Sequence, residues 1–380
     1  MTALYPRCWA EIDTDALAHN VRALSSLGSE IMAVVKANAY GHGVDLVVPA
    51  LLKMGIRHFG VATVVEGEEA RALADANGAS DAAIYIIAAA LPEEAGAIVE
   101  NRLIPLVSDL DLAKAISRAT RQAGKEAQIH IEIDTGIGRA GVAPTQAPAF
   151  LAECSALPGL RVAGICSHFT AADAEDTEDA RLQYALFEKA LATLPADKLA
   201  QLTLHTANSP GILRIPAARL QLIRPGLLLY GIGPSPQFLA DSQEPFGFKP
   251  VLSLKARALL VRRLPAGSDI SYGRTYTLPH EATIATLGIG YGDGFPRRLS
   301  NKGYALLPTG ARAPIRGRVC MDQICVEIPE GAKAQVGDTF TLIGQAGGEE
   351  ILATHLAHEI DATPHEITTC LTARVPRVLI

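Results

Sequence analysis

The chain has 380 residues, 49% of them hydrophobic and 19% charged, with a formal net charge of −6. That length suits two domains, or one large α/β barrel with an addition, and the mild acidity with scattered basic residues argues against nucleic acid as a partner. No run reaches the roughly 20 apolar residues of a membrane span, and the six cysteines (Cys8, Cys154, Cys166, Cys320, Cys325, Cys370) contain no CxxC pair, which reads as reduced thiols of a cytoplasmic protein with neither a disulfide frame nor a metal site.

The stretch from Met1 to Leu17 carries Arg7, Glu11, Asp13 and Asp15 and no apolar core, so no secretory signal is expected. Asp13 or Thr14 can cap a first helix over Asp15–Leu27, which Gly28 closes. Eight short β-rich runs follow: Ile31–Lys36, His58–Thr63, Ala83–Ala88, Leu103–Val107, Gln128–Asp134, Val162–His168, Gln201–Thr206 and Gln221–Arg224. Helical patterns alternate with them at Val65–Asn77, Leu110–Ala123, Ala147–Ala156 and Glu178–Leu194. Eight strand–helix units fit a (β/α)8 TIM barrel, which takes about 250 residues. A doubly wound open sheet is the alternative, weakened because no GxGxxG follows the first strand.

Strand phase then sorts the polar residues. In Gln128-Ile129-His130-Ile131-Glu132-Ile133-Asp134 the isoleucines share one face, and His130, Glu132 and Asp134 share the other. Alternate residues of a barrel strand point inward, so Glu132 should face the barrel interior. Lys36 closes the apolar run Ile31–Val35, at the end of a strand where barrel enzymes keep their chemistry. An ammonium is costly to bury. Lys36 is therefore either a Schiff-base lysine or a base of lowered pKa, or a lysine that snorkels at a strand end. His168, Thr206–Ser209 and Arg224–Gly226 end strands on the same rim.

From about Gly247 the repeat stops. Short alternating runs at Val251–Val261, Thr283–Gly288, Tyr304–Leu307, Ala313–Arg318, Gln323–Ile328 and Thr339–Ile343 predict a smaller, mostly-β domain with a helix near Ala353–Glu359. The expected division is a barrel over residues 1–240 and a β-domain over 241–380, with a linker between Pro234 and Pro250. Ser271-Tyr272-Gly273-Arg274-Thr275 sets a phenol in a turn, where it is either functional or a locally packed strand-edge aromatic.

These motifs together resemble the alanine racemase family. The resemblance runs through Val35-Lys36-Ala37-Asn38-Ala39-Tyr40-Gly41-His42-Gly43, Asp134-Thr135-Gly136-Ile137-Gly138-Arg139, Ser167-His168-Phe169, Ala207-Asn208-Ser209, Arg224-Pro225-Gly226, Tyr230-Gly231, Ser271-Tyr272-Gly273, Gly290-Tyr291-Gly292-Asp293-Gly294 and Cys320-Met321-Asp322. It implies a pyridoxal 5'-phosphate enzyme that interconverts L- and D-alanine with two acid/base groups, supplying D-alanine for peptidoglycan. Lys36 would hold the cofactor and act on one face of the substrate. Tyr272 would act on the other, reaching the site from the partner subunit of a homodimer. Arg224 would face the pyridine nitrogen. Tyr40, Asn208, Ser209, Gly226, Leu227 and His365 would surround the phosphate, and His168 and Arg139 the rest of the cofactor. Arg139 and Met321 would bind the substrate carboxylate, and Tyr291 would shape the way in.

Two positions depart from the family pattern. Glu132 stands where the family usually has a carbamylated lysine, so the resemblance implies a built-in carboxylate that orients Arg139. His365 stands where the family usually has tyrosine, and a histidine at the phosphate would titrate near neutrality. A serine or broad-specificity racemase of the same fold is the alternative activity, and a non-catalytic pyridoxal-phosphate carrier is the alternative class. The carrier would lack both the β-domain and Tyr272.

Overall fold

Strand and helix signals alternate over most of the chain, and the backbone follows them. The computed structural model describes residues 6–241 and 246–380. The strands are, in chain order, β1 (Cys8–Ile12), β2 (Glu30–Val34), β3 (His58–Val61), β4 (Ala83–Ile86), β5 (Leu103–Val107), β6 (Ala127–Glu132), β7 (Leu160–Cys166), β8 (Thr203–His205) and β9 (Leu222–Ile223). They continue as β10 (Leu252–Leu264), β11 (Ala282–Leu287), β12 (Tyr304–Leu306), β13 (Arg312–Arg316), β14 (Ile324–Ile328), β15 (Thr339–Ala346), β16 (Glu349–Ile351) and β17 (Arg377–Leu379). By contact the chain forms two units, Val21–Ala39 with Val44–Leu229, and Met1–Asn20 with Tyr40–Gly43 and Tyr230–Ile380.

Among the described residues, the first unit is built on an eight-stranded parallel sheet in the order β8-β7-β6-β5-β4-β3-β2-β9. Its ends meet through a parallel bridge between Asn208 and Arg224, with the Arg224 N–H donating to the Ala207 carbonyl at 2.9 Å. The sheet is therefore a near-closed barrel, as the eight β-rich runs predict. Helices fill the crossovers because their ends are chemically marked. Asp109 accepts the Leu112 N–H and starts the helix Leu110–Ala123, and Gly124 ends it at φ 62°. Thr63 and Glu66 make a reciprocal capping box that starts Val64–Ala76. Met32, Tyr85, Ile104 and Leu222 form a packed cluster, each contributed by a different strand.

Among the described residues, the second unit carries a nine-stranded sheet in the order β16-β15-β12-β13-β14-β11-β10-β1-β17. The 13-residue β10 is its spine and pairs antiparallel with β1, β11 and β15. The sequence reading placed no strand before the first helix. Yet Cys8-Trp9-Ala10-Glu11-Ile12 alternates strictly between buried and half-buried positions, the period of a half-buried strand. It runs along β10 from Cys8 opposite Ala256 to Ile12 opposite Leu252. The expected linker over 234–250 contains a short helix, Pro236–Asp241, and residues 242–245, which lie outside the described residues.

One boundary shift matters for function. β2 ends at Val34, two residues before the Lys36 expected to close it. The Val35 N–H makes a last bond to the Gly60 carbonyl at 2.8 Å, and the chain then leaves the sheet. Ala37, Asn38, Ala39 and Tyr40 all adopt left-handed backbone angles, with φ between 50° and 54°.

Candidate active site

The C-terminal rim of the barrel sheet collects the polar residues that strand phase assigned to it. Lys36 follows β2, Glu132 ends β6, His168 follows β7, Asn208 and Ser209 follow β8, and Arg224 follows β9. Lys36 is half-buried. Burial pushes its pKa down, the guanidinium of Arg139 and then that of Arg224 push the same way, and Glu66 opposes them. All four groups belong to the barrel unit.

Arg224 is 5% exposed and closely tied. Nη1 donates to His205 Nδ1 at 2.7 Å and to the His205 carbonyl at 3.3 Å. Nη2 donates to the carbonyls of Ser167 at 2.7 Å and Thr206 at 3.0 Å, and to His168 Nδ1 at 3.1 Å. A guanidinium only donates, so both histidines accept at Nδ1 and carry their proton on Nε2. His205 Nε2 then donates to His130 Nδ1 at 2.8 Å. A one-way chain of donors thus runs from Arg224 down the barrel interior. Burial, followed by the field of Arg224, holds His168 down at about 3. Burial likewise holds His130 at about 3 and pushes His205 down. These imidazoles are neutral at any ordinary pH. Room for His130 comes from Gly164 in β7, where a Cβ would lie 2.4 Å from the ring.

Glu132 is buried, as its strand phase predicts. Burial raises its pKa, while Arg224 and then Arg139 lower it. Among the described residues no ion pair joins it to Arg139, which is solvent-exposed, so the orientation of Arg139 by Glu132 is not realised as a direct contact. The loop that carries Arg139 is shaped instead by Asp134, whose carboxylate accepts the N–H groups of Gly136 at 2.9 Å and Gly138 at 3.1 Å.

Asn208 caps the short helix Ser209–Arg214 by accepting the Gly211 N–H at 3.1 Å. The buried Ser209 hydroxyl accepts the N–H groups of Gly226 at 3.0 Å and Leu228 at 3.2 Å. With both acceptor positions used, its own O–H is directed to an acceptor elsewhere.

The β-rich unit holds the remaining candidates. Tyr40 lies with its ring centroid 5.3 Å from Tyr230 and 5.6 Å from His365. His365 is the second residue of the helix Pro364–Thr369. Gly41 presses against the end of that helix, where a Cβ would collide with the Thr368 carbonyl. Tyr291 and Met321 sit on two loops laced together by Tyr291 N–H to Cys320 O at 2.9 Å and Gly292 N–H to Met321 O at 2.8 Å. Arg374 holds the same corner through Asp293 at 3.1 Å and Asp322 at 2.7 Å. Tyr272 stands apart. It is 74% exposed, and among the described residues its hydroxyl has no partner. Ser271 at φ 64° and Gly273 at φ 73° bracket it, and the Arg318 guanidinium lies against Gly273, 3.1 Å from where a Cβ would be.

Strand phase gives His130 its inward place without its bond to His205, and the sequence reading missed two contributors: His205 behind Arg224, and Glu66 beside Lys36. Each left a signal. Inward alternation marks Leu204-His205-Thr206 as it marks Glu132, and Thr63-Val64-Val65-Glu66 has the spacing of a capping box.

Comparison with known proteins identifies the family. The family model described as alanine racemase, N-terminal domain, matches residues 12–234, and that for the alanine racemase C-terminal domain matches residues 251–379. The chain is 39% identical to the alanine racemase of Symbiobacterium thermophilum, covering 97% of this chain and 96% of that one. It is 37% identical to the Halothermothrix orenii enzyme, again over 97% and 96%. Among solved structures, the alanine racemase of Clostridium difficile superposes with a TM-score of 0.90 at 30% identity, covering 99% of this chain and 96% of that one. The Bartonella henselae enzyme, with covalently bound pyridoxal phosphate, gives 0.86 at 28% identity over 98% and 99%. With both domain models matched and relatives this similar over nearly the whole length, the chain belongs to the alanine racemase family of isomerases.

Proposed function

We propose that the chain interconverts L- and D-alanine with pyridoxal 5'-phosphate and two acid/base groups, Lys36 and Tyr272. The observation that carries this reading is Lys36, held at a barrel rim where burial first, and then the guanidinium groups of Arg139 and Arg224, lower its pKa. A lysine so placed keeps a larger share of neutral amine than a surface lysine does, which both carbonyl capture and proton abstraction need.

The donor set fits the cofactor. The Ser209 hydroxyl and the backbone about Gly226 and Leu227 suit a phosphate, with Asn208 anchoring the helix behind them and Tyr40 and His365 supplying an aromatic and a titratable donor. Arg224 suits the pyridine nitrogen, and His168 and Arg139 the remainder of the ring. When bound, the cofactor acidifies the α-hydrogen of the attached amino acid by delocalising the electron pair that deprotonation leaves. Everything else is the work of this chain. Arg224 cannot surrender a proton and is held by five acceptors, so it would face the pyridine nitrogen as a fixed donor and would leave that nitrogen neutral. Glu132 adds a buried negative charge beside two guanidinium groups. Arg139 and the Met321 amide bind the substrate carboxylate, and Tyr291 lines the approach.

Lys36 Nζ exchanges a proton with one face of the α-carbon and the Tyr272 hydroxyl with the other. The exposure of Tyr272, whose hydroxyl has no partner among the described residues, supports a homodimer in which each tyrosine completes the site of the other subunit. The product would serve peptidoglycan synthesis. Among the described residues no helix is long and apolar enough to cross a membrane, in keeping with a cytoplasmic enzyme. An absorbance scan of the purified protein, with a racemisation assay over a small amino-acid panel, tests the reading. A visible cofactor band with alanine turned over fastest supports it. Absence of the band removes the cofactor, a band without α-proton exchange indicates a carrier, and faster turnover of serine reassigns the substrate.

A further inference from the structure

The turn after Lys36 is unusual for what it contains. Ala37, Asn38 and Ala39 have φ and ψ both near 50°, and Tyr40 follows at φ 53°. Left-handed geometry costs about 1–2 kcal/mol per residue when a Cβ is present, and residues other than glycine adopt it singly, seldom in succession. Such a turn persists only where neighbours over-determine it, and here three contacts do so. The Ala39 N–H returns to the Val35 carbonyl at 2.8 Å. Asn38 Oδ1 accepts the Val44 N–H at 2.8 Å, tying the turn to the next helix. The third contact comes from elsewhere in the barrel: Glu66 Oε1 accepts the Ala37 N–H at 2.8 Å.

Glu66 is itself fixed. Its Oε2 accepts the N–H groups of Ala62 at 2.7 Å and Thr63 at 3.3 Å, and its backbone N–H donates to Thr63 Oγ1 at 3.2 Å. One carboxylate therefore spans the end of β3, the start of the helix Val64–Ala76 and the residue after Lys36. We propose that Glu66 is a positioning residue for Lys36, pinning the left-handed turn so that the lysine side chain leaves the barrel rim in one direction. Its charge also opposes the neighbouring guanidinium groups, which otherwise depress the basicity of Lys36 further. This assignment rests on Lys36 being the cofactor lysine and adds a residue outside the site to its support.

Glu66→Gln is the informative variant, because a carboxamide has a single acceptor oxygen and cannot serve Ala37 and Ala62 together. Thr63→Ala is its control: it removes the other half of the capping box and leaves the Ala37 contact in place. Two readouts separate positioning from plain stability. In cofactor-free protein, amide hydrogen exchange over residues 37–40 should quicken by about tenfold or more in Glu66→Gln and stay at the wild-type rate in Thr63→Ala. In the holoenzyme, Glu66→Gln should lower kcat by about 10- to 100-fold, as misplacement by about 1 Å does. KM should change little, and the pH midpoint of the cofactor absorbance band should move. Thr63→Ala should lower only the melting temperature. Wild-type exchange in Glu66→Gln, or equal changes in the two variants, overturns the assignment. Absence of racemisation and of a cofactor band in the wild type would instead remove the proposed function, and the exchange experiment would still decide whether Glu66 holds the turn.

Discussion

The two acid/base candidates lie in opposite surroundings. Lys36 is half-buried, its pKa is lowered first by burial and then by guanidinium groups of its own unit, and the turn that follows it is tied down at three points. Tyr272 is 74% exposed and, among the described residues, its hydroxyl is bonded to nothing, although the loop beneath it is firmly built. Ser271 Oγ donates to the Arg318 carbonyl at 2.6 Å, and Ser271 Oγ also lies 3.2 Å from Cys320 Sγ. The loop is held by its own contacts, and the phenol it displays is open to solvent. The contrast teaches that Lys36 sits in surroundings fixed by its own unit, whereas the Tyr272 phenol is left open to solvent. The proposed homodimer is what would bring the two to one substrate.

The largest effect should come from Lys36→Ala, which removes the proposed cofactor lysine and with it one of the two proposed acid/base groups. Racemisation in both directions and the visible cofactor band should both disappear, and a variant that kept either would break the contrast at its strong end. Tyr272→Phe should come next, with kcat reduced by about 10²–10⁴-fold, the usual worth of a general acid/base. Its cofactor band should be intact, because no part of the cofactor is assigned to that phenol. Glu132→Gln keeps shape and removes charge, so kcat should fall by about tenfold, equivalent to about 1.4 kcal/mol. A wild-type rate at neutral pH would show that the buried charge is dispensable.

The barrel interior gives two smaller tests that leave the Tyr272 loop untouched. Gly164→Ala sets a methyl against the His130 ring and the Thr203 carbonyl and should cost about 1–3 kcal/mol by overpacking, measured by denaturant unfolding. His130 has a folded-state pKa of about 3 against an ordinary 6.5. Between those values the unfolded chain takes up a proton that the folded chain refuses. Stability from this group is therefore complete above about pH 6.5 and is lost as the pH falls toward 3. The melting temperature should decline over that window, less steeply in His130→Gln.

Much of this arrangement was legible in the residues because period and position carry it. Alternation placed Glu132 inside the barrel, and strand ends brought Lys36, His168, Ser209 and Arg224 to one rim. What escaped depends on non-local partners. β1 becomes a strand because β10, some 240 residues later, offers it an edge, and a five-residue alternation is too short to announce that. The left-handed turn at 37–40 contradicts the preference of alanine, and only the contacts from Val35, Val44 and Glu66 make it tenable. The His205–His130 chain could be read as inward-facing positions, but its direction follows only once Arg224 is seen donating into it.

The central claim, that Lys36 of one chain works with Tyr272 of another, is tested most directly by mixing two inactive variants. Lys36→Ala and Tyr272→Ala subunits, dissociated together and reassembled at equal amounts, form mixed dimers with one intact site in two. Recovery of about one quarter of wild-type racemase activity is the predicted result for a twofold assembly. No recovery, with mixed dimers demonstrably formed, would contradict a shared site and place both groups within a single chain.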